Sequence, residues 1–345
     1  METIKTAVLG ASGYTGIELL RLLFAHPAVE VSAITSRANA GQALSSGLPR
    51  FKGVEGADIE FIMPDMEAVV ATGAQTAFLA LPHGMAADYA LPLLEKGLRV
   101  IDLSADFRLN DAAVYEEFYG QAHPAPEWLP KAVYGMPELY RDEIAASQLI
   151  ASPGCYPTSI ILPLVPLLRA GLLDTKSLVV SSLSGVSGAG RTASLPIIFS
   201  EVNESLRAYG LPKHRHLSEI EQELSLAAGE QVMITFTPHL VPVTRGIHST
   251  ITASLKGSFE EVTAALEAAY QDEPFVRLLG AGVAADTANV TRTNFVDVGW
   301  HHDQRTNRLV LTSAEDNLTK GASGQAVQSF NLLHDLPATT GLMNL

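Results

Sequence analysis

Cys155 is the only cysteine of the chain, and it lies in Pro153-Gly154-Cys155-Tyr156-Pro157-Thr158 directly ahead of the apolar run Ile160 to Leu168. The spacing predicts a cysteine at or just before a helix start, where the helix dipole and unbonded N–H groups favour a thiolate. A rigid Gly/Pro frame around that entry suits an activated nucleophile, and the competing account is a buried structural cysteine. One thiol can form neither an intramolecular disulfide nor a thiolate metal site, and no metal centre is expected.

The second reactive cluster is His214-Arg215-His216, just before Ser218 and Glu221, whose spacing reads as a capping box opening a helix at Ser218. Pro212 precedes the cluster, so an extended backbone is expected, with both imidazoles on one side. His216 is assigned the proton exchange, with His214 and Arg215 as anion binders. His248, three residues after Arg245, is the rival acid–base group. Ser184 to Arg191 forms a Gly/Ser-rich loop that can offer backbone donors to a phosphate or cofactor, a plain flexible loop being the alternative. Ala189 spoils a nucleophile-elbow reading of this loop. The Tyr209/Lys213 pair has the spacing of a short-chain reductase, but Gly210 and Pro212 between them break the helix such chemistry needs.

A nicotinamide cofactor is indicated by Gly10-Ala11-Ser12-Gly13-Tyr14-Thr15-Gly16, which follows a strand-like segment and opens an amphipathic helix. Its glycines fall where backbone must pass close to a pyrophosphate, and Ser12, Tyr14 and Thr15 share the loop. The following β-like run ends in Thr35-Ser36-Arg37 instead of an acidic residue, and Ser36 with Arg37 suits a 2′-phosphate, hence NADP. A thiolate beside such a cofactor restricts the chemistry to aldehyde oxidation or acyl-phosphate reduction.

The elements that must position these groups are legible in outline. The first half alternates β-like and helical runs, at Ile4–Leu9, Ile17–Phe24, Val29–Thr35, Thr76–Leu81, Tyr89–Lys96 and Val100–Leu103, which predicts an α/β, Rossmann-type parallel sheet. After Cys155 the β-like runs lengthen, at Leu178–Leu183, Val232–Thr237 and Ile247–Leu255, with a hairpin of Phe295–Trp300 and Arg308–Ser313. That texture predicts an α+β domain with a mainly antiparallel sheet. Ser258 with Glu261 reads as a capping box, and Gly324–Leu333 as an amphipathic helix. With 345 residues and a formal net charge of −14, the chain has the length of two domains, and its acidity speaks against nucleic-acid or anionic-membrane partners. No leader or membrane-length apolar segment is visible, and a cytoplasmic location is expected.

Taken together, the motifs resemble one family. They are Gly10 to Gly16, Leu103 to Arg108, Tyr134 to Leu139, Pro153 to Thr158, Ser184 to Arg191, His214 to His216, Pro238 to Pro242, Arg245 to Ile247, and Asp316-Asn317-Leu318 with Lys320 to Gln325. Their order and near-complete coverage are similar to the N-acetyl-γ-glutamyl-phosphate reductases of arginine biosynthesis, within the aspartate-semialdehyde dehydrogenase group. The resemblance implies NADPH-dependent reduction of a small-molecule acyl phosphate, N-acetyl-L-glutamyl 5-phosphate, to the 5-semialdehyde through a thioester on Cys155. It further implies a homodimer or homotetramer, and a cofactor domain of residues 1–153 and 318–345 around a catalytic and dimerisation domain of residues 154–317. Ser184, Gly185, Gly188 and Asn317 would face the cofactor, and Arg108, Arg191 and Arg245 would join His214 and Arg215 at the substrate. Two other readings stay open. One is a related semialdehyde dehydrogenase or a reductase of carrier-protein-linked glutamyl or aminoadipyl phosphate, and the other a cofactor-binding sensor without chemistry.

Overall fold

The first seven strands are β1 (Ile4–Leu9), β2 (Val29–Thr35), β3 (Phe61–Ile62), β4 (Thr76–Leu79), β5 (Arg99–Asp102), β6 (Val133–Tyr134) and β7 (Leu149–Ala151). In the computed structural model, which describes residues 3–343, these form a sheet of order β3-β2-β1-β4-β5-β7-β6. Every pairing in it is parallel. Ala7, Leu9, Ala77, Leu79 and Val100 are fully buried, as expected of parallel strands covered by helices on both faces. The strand order reverses between β1 and β4, which opens a crevice at their carboxyl ends, where doubly wound sheets take ligands.

The chain divides into two units, residues 3–153 with 322–343 and residues 154–321. The return to the first unit falls four residues later than the expected 318, because the turn from Asp316 to Gly321 is fastened inside the second unit. The helix Gly324–Leu333 then completes the first unit. Asn331 Oδ1 is 2.9 Å from His26 Nε2, and His334 Nε2 is 2.6 Å from Thr76 Oγ1.

The second sheet contains β8 (Val179–Gly185), β9 (Arg207–Ala208), β10 (Thr235–Val241), β11 (Ile247–Ser254), β12 (Val276–Ala281), β13 (Val296–Asp303) and β14 (Arg308–Glu315). Its order is β12-β13-β14-β11-β8-β10-β9, antiparallel except at β8/β10 and β12/β13. The sequence of β11 alternates Ile-His-Ser-Thr-Ile-Thr-Ala-Ser, and burial alternates with it, so only one face is covered deeply. Lying on that face is the cysteine helix, Cys155–Arg169, fastened by the Ser159 and Ser249 hydroxyls at 2.8 Å, with Ser249 and Ser182 at 2.7 Å. The helix runs unbroken through Pro163 and Pro166 although each removes an N–H donor. Every residue from Tyr156 to Leu168 is buried, so tertiary packing outweighs the proline penalty.

The Ser258/Glu261 capping box is present. The Ser218/Glu221 box is not. The histidine helix starts two residues earlier, at His216, and Ser218 Oγ instead donates to Arg215 O while Glu221 accepts the Ile234 N–H.

Burial lowers the pKa of His26, and burial with the neighbouring Arg99 lowers that of His334 to about 4. The folded unit therefore binds fewer protons than the unfolded chain between pH 4 and the ordinary histidine value of 6.5. Stability is full above pH 6.5 and is lost as pH falls towards 4. Amide exchange measured through Gly324–Leu333 should show protection dropping over that window, and His334→Gln should flatten the dependence.

Candidate active site

Cys155 opens its helix after Gly154, whose backbone is extended at φ −68° and ψ 162°. The thiol residue is half-buried, at the end of the helix where N–H groups and the dipole favour negative charge. Against the peptide just before it lie two side chains of the histidine helix, His216–Ala228. The Gly154 N–H donates to Glu219 Oε2 at 3.0 Å. A Cβ on residue 154 would stand 2.6 Å from His216 Nε2 and 2.7 Å from Glu219 Oε1. Residue 154 can therefore only be glycine if both groups are to close over the nucleophile's helix start. Glu219 is absent from the sequence reading, although its place three residues after His216 puts both on one helix face.

Arg215 has helical dihedrals, not the expected extended ones, yet the two imidazoles remain neighbours with ring centroids 5.0 Å apart. The reason is local: His214 Nδ1 accepts the His216 N–H at 3.1 Å and so caps the helix. Burial and Arg215 lower the His214 pKa to about 4, and its ring packs among Tyr156, Tyr209 and Phe236. His214 is thus neutral near pH 7, and the cationic role expected of it falls to the exposed Arg215 alone. The Tyr156 and Tyr209 hydroxyls meet at 2.8 Å. Burial raises both phenols, Tyr209 to about 12, and the charge of Cys155 adds to each shift. Both phenols therefore stay protonated beside the thiol.

His248 is placed elsewhere. Ser249 points at the cysteine helix, and successive strand residues alternate faces, so His248 points to the opposite side of the sheet. Burial lowers its pKa, and its ring bonds the Ala285 backbone.

On the other flank of the thiol, a Cβ at Gly321 would stand 3.0 Å from Cys155 Cβ and 2.9 Å from Oε1 of the fully buried Glu315. Asn317 holds this turn to its neighbours: its Oδ1 accepts the Gly246 N–H at 2.8 Å and its Nδ2 donates to Ser187 Oγ at 2.9 Å. Gly188 lies beside Asn317 Nδ2 and Ser184 Oγ, and Gly185 is required by the backbone of Thr244 and Arg245. Arg191 is exposed beyond this loop. Two expected substrate arginines are otherwise engaged. Arg245 pairs with Asp316 at 3.0 Å, and Arg108 donates to the backbone carbonyls of Ser152 at 2.7 Å and Leu103 at 3.0 Å. Both guanidiniums are held within their own unit, Arg108 by backbone carbonyls and Arg245 by the side chains of Asp316 and Thr319.

In the first unit the glycine loop joins β1 to the helix Tyr14–Phe24. Gly10, at φ +82°, and Gly16 are dictated by protein packing, since a Cβ on either would come within 2.5 Å of a backbone oxygen. Gly13 differs. A Cβ there would meet nothing closer than Gly10 O at 3.8 Å, so the protein itself gives no reason for a bare backbone at this helix cap. An open glycine cap before a run of unbonded N–H groups fits the close approach of a pyrophosphate. Ser323 Oγ donates to Thr15 O at 2.9 Å and steadies the loop. At the end of β2, Ser36 Oγ is 3.5 Å from Ser12 Oγ, and the exposed Arg37 donates to Tyr89 OH at 2.6 Å, which aims its guanidinium. The residues present fit a dinucleotide carrying a 2′-phosphate. Among the described residues no group of three His, Cys, Asp or Glu is gathered to hold a metal, and no helix is long and apolar enough to cross a membrane.

Residues 5–147 match the family model of the semialdehyde dehydrogenase NAD-binding domain, and residues 155–317 that of the semialdehyde dehydrogenase dimerisation domain. The fold also resembles solved structures. Aspartate semialdehyde dehydrogenase II of Vibrio cholerae superposes with a TM-score of 0.73 at 17% identity, over 97% of this chain and 99% of that one. The Candida albicans aspartate semialdehyde dehydrogenase with NADP gives 0.69 at 18%, over 96% and 99%. Fold and site thus define a semialdehyde-dehydrogenase-type oxidoreductase with a Rossmann NAD-binding domain. Among relatives, the N-acetyl-gamma-glutamyl-phosphate reductase of Akkermansia muciniphila is 60% identical over 99% of both chains, and that of Geobacter sp. (strain M21) 51% identical over 98% of both. The chain belongs to the N-acetyl-gamma-glutamyl-phosphate reductase family.

The glycine loop makes a direct prediction. Gly13→Ala should weaken NADPH binding at least about tenfold, roughly 1.4 kcal/mol, because the new methyl occupies the space before the helix cap. Its melting temperature should stay within about 2 °C of the parent, surface changes in open space being nearly neutral. Gly16→Ala should instead destabilise by about 1–3 kcal/mol through overpacking. Cofactor titration and thermal melts on both variants check the contrast.

Proposed function

We propose that the chain reduces N-acetyl-L-glutamyl 5-phosphate with NADPH to N-acetyl-L-glutamate 5-semialdehyde and phosphate, as a step of arginine biosynthesis in the cytoplasm. The observation that carries this reading is the closure of His216 and Glu219 over the Gly154 peptide at the start of the cysteine helix. The relatives' name supplies the substrate.

Cys155 Sγ attacks the acyl carbon, the bond from that carbon to the phosphate oxygen breaks, and phosphate leaves with the electron pair. His216 takes the thiol proton. NADPH supplies, when bound, the hydride that reduces the thioester carbon. His216 returns its proton to the resulting thiohemiacetal oxygen, and collapse of that adduct releases the aldehyde and restores the thiol. Glu219 fixes the position of the helix start by holding the Gly154 N–H, while Arg215 and Arg191 attract the anionic substrate. Gly10, Ser12, Gly13, Tyr14, Thr15 and Gly16 would hold the pyrophosphate, Ser36 and Arg37 the 2′-phosphate, and Ser184, Gly185, Gly188 and Asn317 the nicotinamide end.

The dimerisation-domain match supports self-association, and we assign it to the outer face of the second sheet. That face presents Val179 and Leu183 on β8 at 41% and 36% exposure, on the side opposite Ser182 and the cysteine helix, which is apolar surface a second copy would cover. A homodimer is the minimal assembly, and a homotetramer would need a further contact.

Two measurements test the reading, both run as NADPH formation from N-acetylglutamate semialdehyde, phosphate and NADP, with aspartate semialdehyde in parallel. Cys155→Ser should keep cofactor binding and lose nearly all turnover, since a serine hydroxyl is scarcely ionised at neutral pH. His216→Asn should lower turnover by roughly 10²–10⁴ and His248→Asn far less. A preference for aspartate semialdehyde would reject the substrate, and a severe loss confined to the His248 variant would reject the acid–base assignment. Arg37→Ala should narrow the preference for NADPH over NADH by about 1.5–3 kcal/mol, the scale of a charge-assisted hydrogen bond.

A further inference from the structure

The turn from Asp316 to Gly321 flanks the nucleophile, and one buried carboxylate fixes it. Asp316 has no exposed surface, and its carboxylate accepts the backbone N–H groups of Arg292 at 2.6 Å, Leu318 at 2.8 Å and Thr319 at 3.0 Å. Its carbonyl accepts the Gly321 N–H at 2.9 Å. Arg292 is held at φ +69°, a left-handed conformation unusual for a residue with a side chain, and its bond to Asp316 sustains it. Arg245 supplies the countercharge. Its Nε lies 3.0 Å from Asp316 Oδ2, its Nη2 reaches Thr319 Oγ1 at 3.2 Å, and its side chain is only 9% exposed. Nε and Nη2 are thus committed inside the unit, and removing the guanidinium would strand a buried carboxylate without its cation.

We propose that Arg245 and Asp316 form a positioning pair that seats Gly321 against Cys155, and that Arg245 does not bind substrate. The line of force runs from Arg245 through Asp316 and its turn to Gly321, whose backbone abuts the Cys155 side chain. Asn317, next in the chain, passes the same constraint to the Ser187 loop and to Gly246. The proposal rests on the reductase reading only where turnover is measured.

The full chain is tested as Arg245→Met, Arg245→Lys and Asp316→Asn, with two readouts. The first is alkylation of Cys155 by iodoacetamide at about pH 9.5 without substrate, where the ordinary thiol is mostly ionised and the rate reads access. The second is kcat and KM for semialdehyde and phosphate with NADP. Arg245→Met should speed alkylation at least about threefold and lower kcat at least about tenfold while both KM values stay within about twofold, the signature of lost positioning. Arg245→Lys should fall between this variant and the parent. Asp316→Asn should reproduce the Arg245→Met pattern although it removes no cation. A tenfold or larger rise in KM for phosphate or semialdehyde with parental alkylation would overturn the proposal, as would parental behaviour of Asp316→Asn. If Arg245→Met does not fold, the other two variants decide by the same readouts. If the parent turns over neither substrate, the reductase reading fails and the alkylation rates still judge the pair.

Discussion

The first turn of the cysteine helix carries its neighbours because residue 154 has no side chain. Three things compete for the space beside the Gly154 Cα: the imidazole of His216, the carboxylate of Glu219, and whatever a larger residue would place there. With glycine the histidine helix can approach until Glu219 bonds the Gly154 N–H, and that bond satisfies one of the donors a helix start leaves open. The order of the second unit follows from this closure. The cysteine helix is clamped at its beginning by the histidine helix and, one turn further on, at Ser159 by the Ser249 hydroxyl of β11, which Ser182 of β8 backs.

The surroundings of the thiol also limit which groups can exchange protons with it. Burial keeps Tyr156 and Tyr209 protonated and His214 neutral around pH 7, so three of the ring side chains clustered there are fixed in one state. His214 serves instead as a hydrogen-bond acceptor for the helix that carries His216. An imidazole made a helix cap in this way gives its neighbour a defined position without competing for the proton.

Local patterns in the sequence reveal those parts of the fold that local physics decides. β1 and β2 are bounded where their apolar runs are bounded, and Gly324–Leu333 is helical where its periodicity says. The same reading misses β12, because Arg277 interrupts its apolar run and is accommodated only by pairing with Asp297 on β13. It also misses β3, β6 and β9, two residues each, and β7 of three, which are too short to carry a period. At the site, Cys155 and His216 stand out by type and spacing. What does not stand out is which charges cancel inside the protein: Arg245 and Arg108 look available to ligand until the fold supplies Asp316 and the Ser152 carbonyl. The start of the histidine helix is misjudged for a related reason, since nothing in Ser218 or Glu221 signals that His214 caps two residues earlier.

The helix Gly324–Leu333 belongs to the unit begun by β1, so the segment from 154 to 321 is an insertion within a domain that is finished last. Every residue of the middle unit therefore precedes in sequence the helix that the nucleotide-binding unit still needs. Without that final segment, Thr76, Arg99 and His26 stand without the partners it brings, and Thr15 O lacks its Ser323 bond. The nucleotide-binding unit is therefore closed by contacts that span the whole of the other unit in sequence, and its final helix is held by some of the longest loops in the chain.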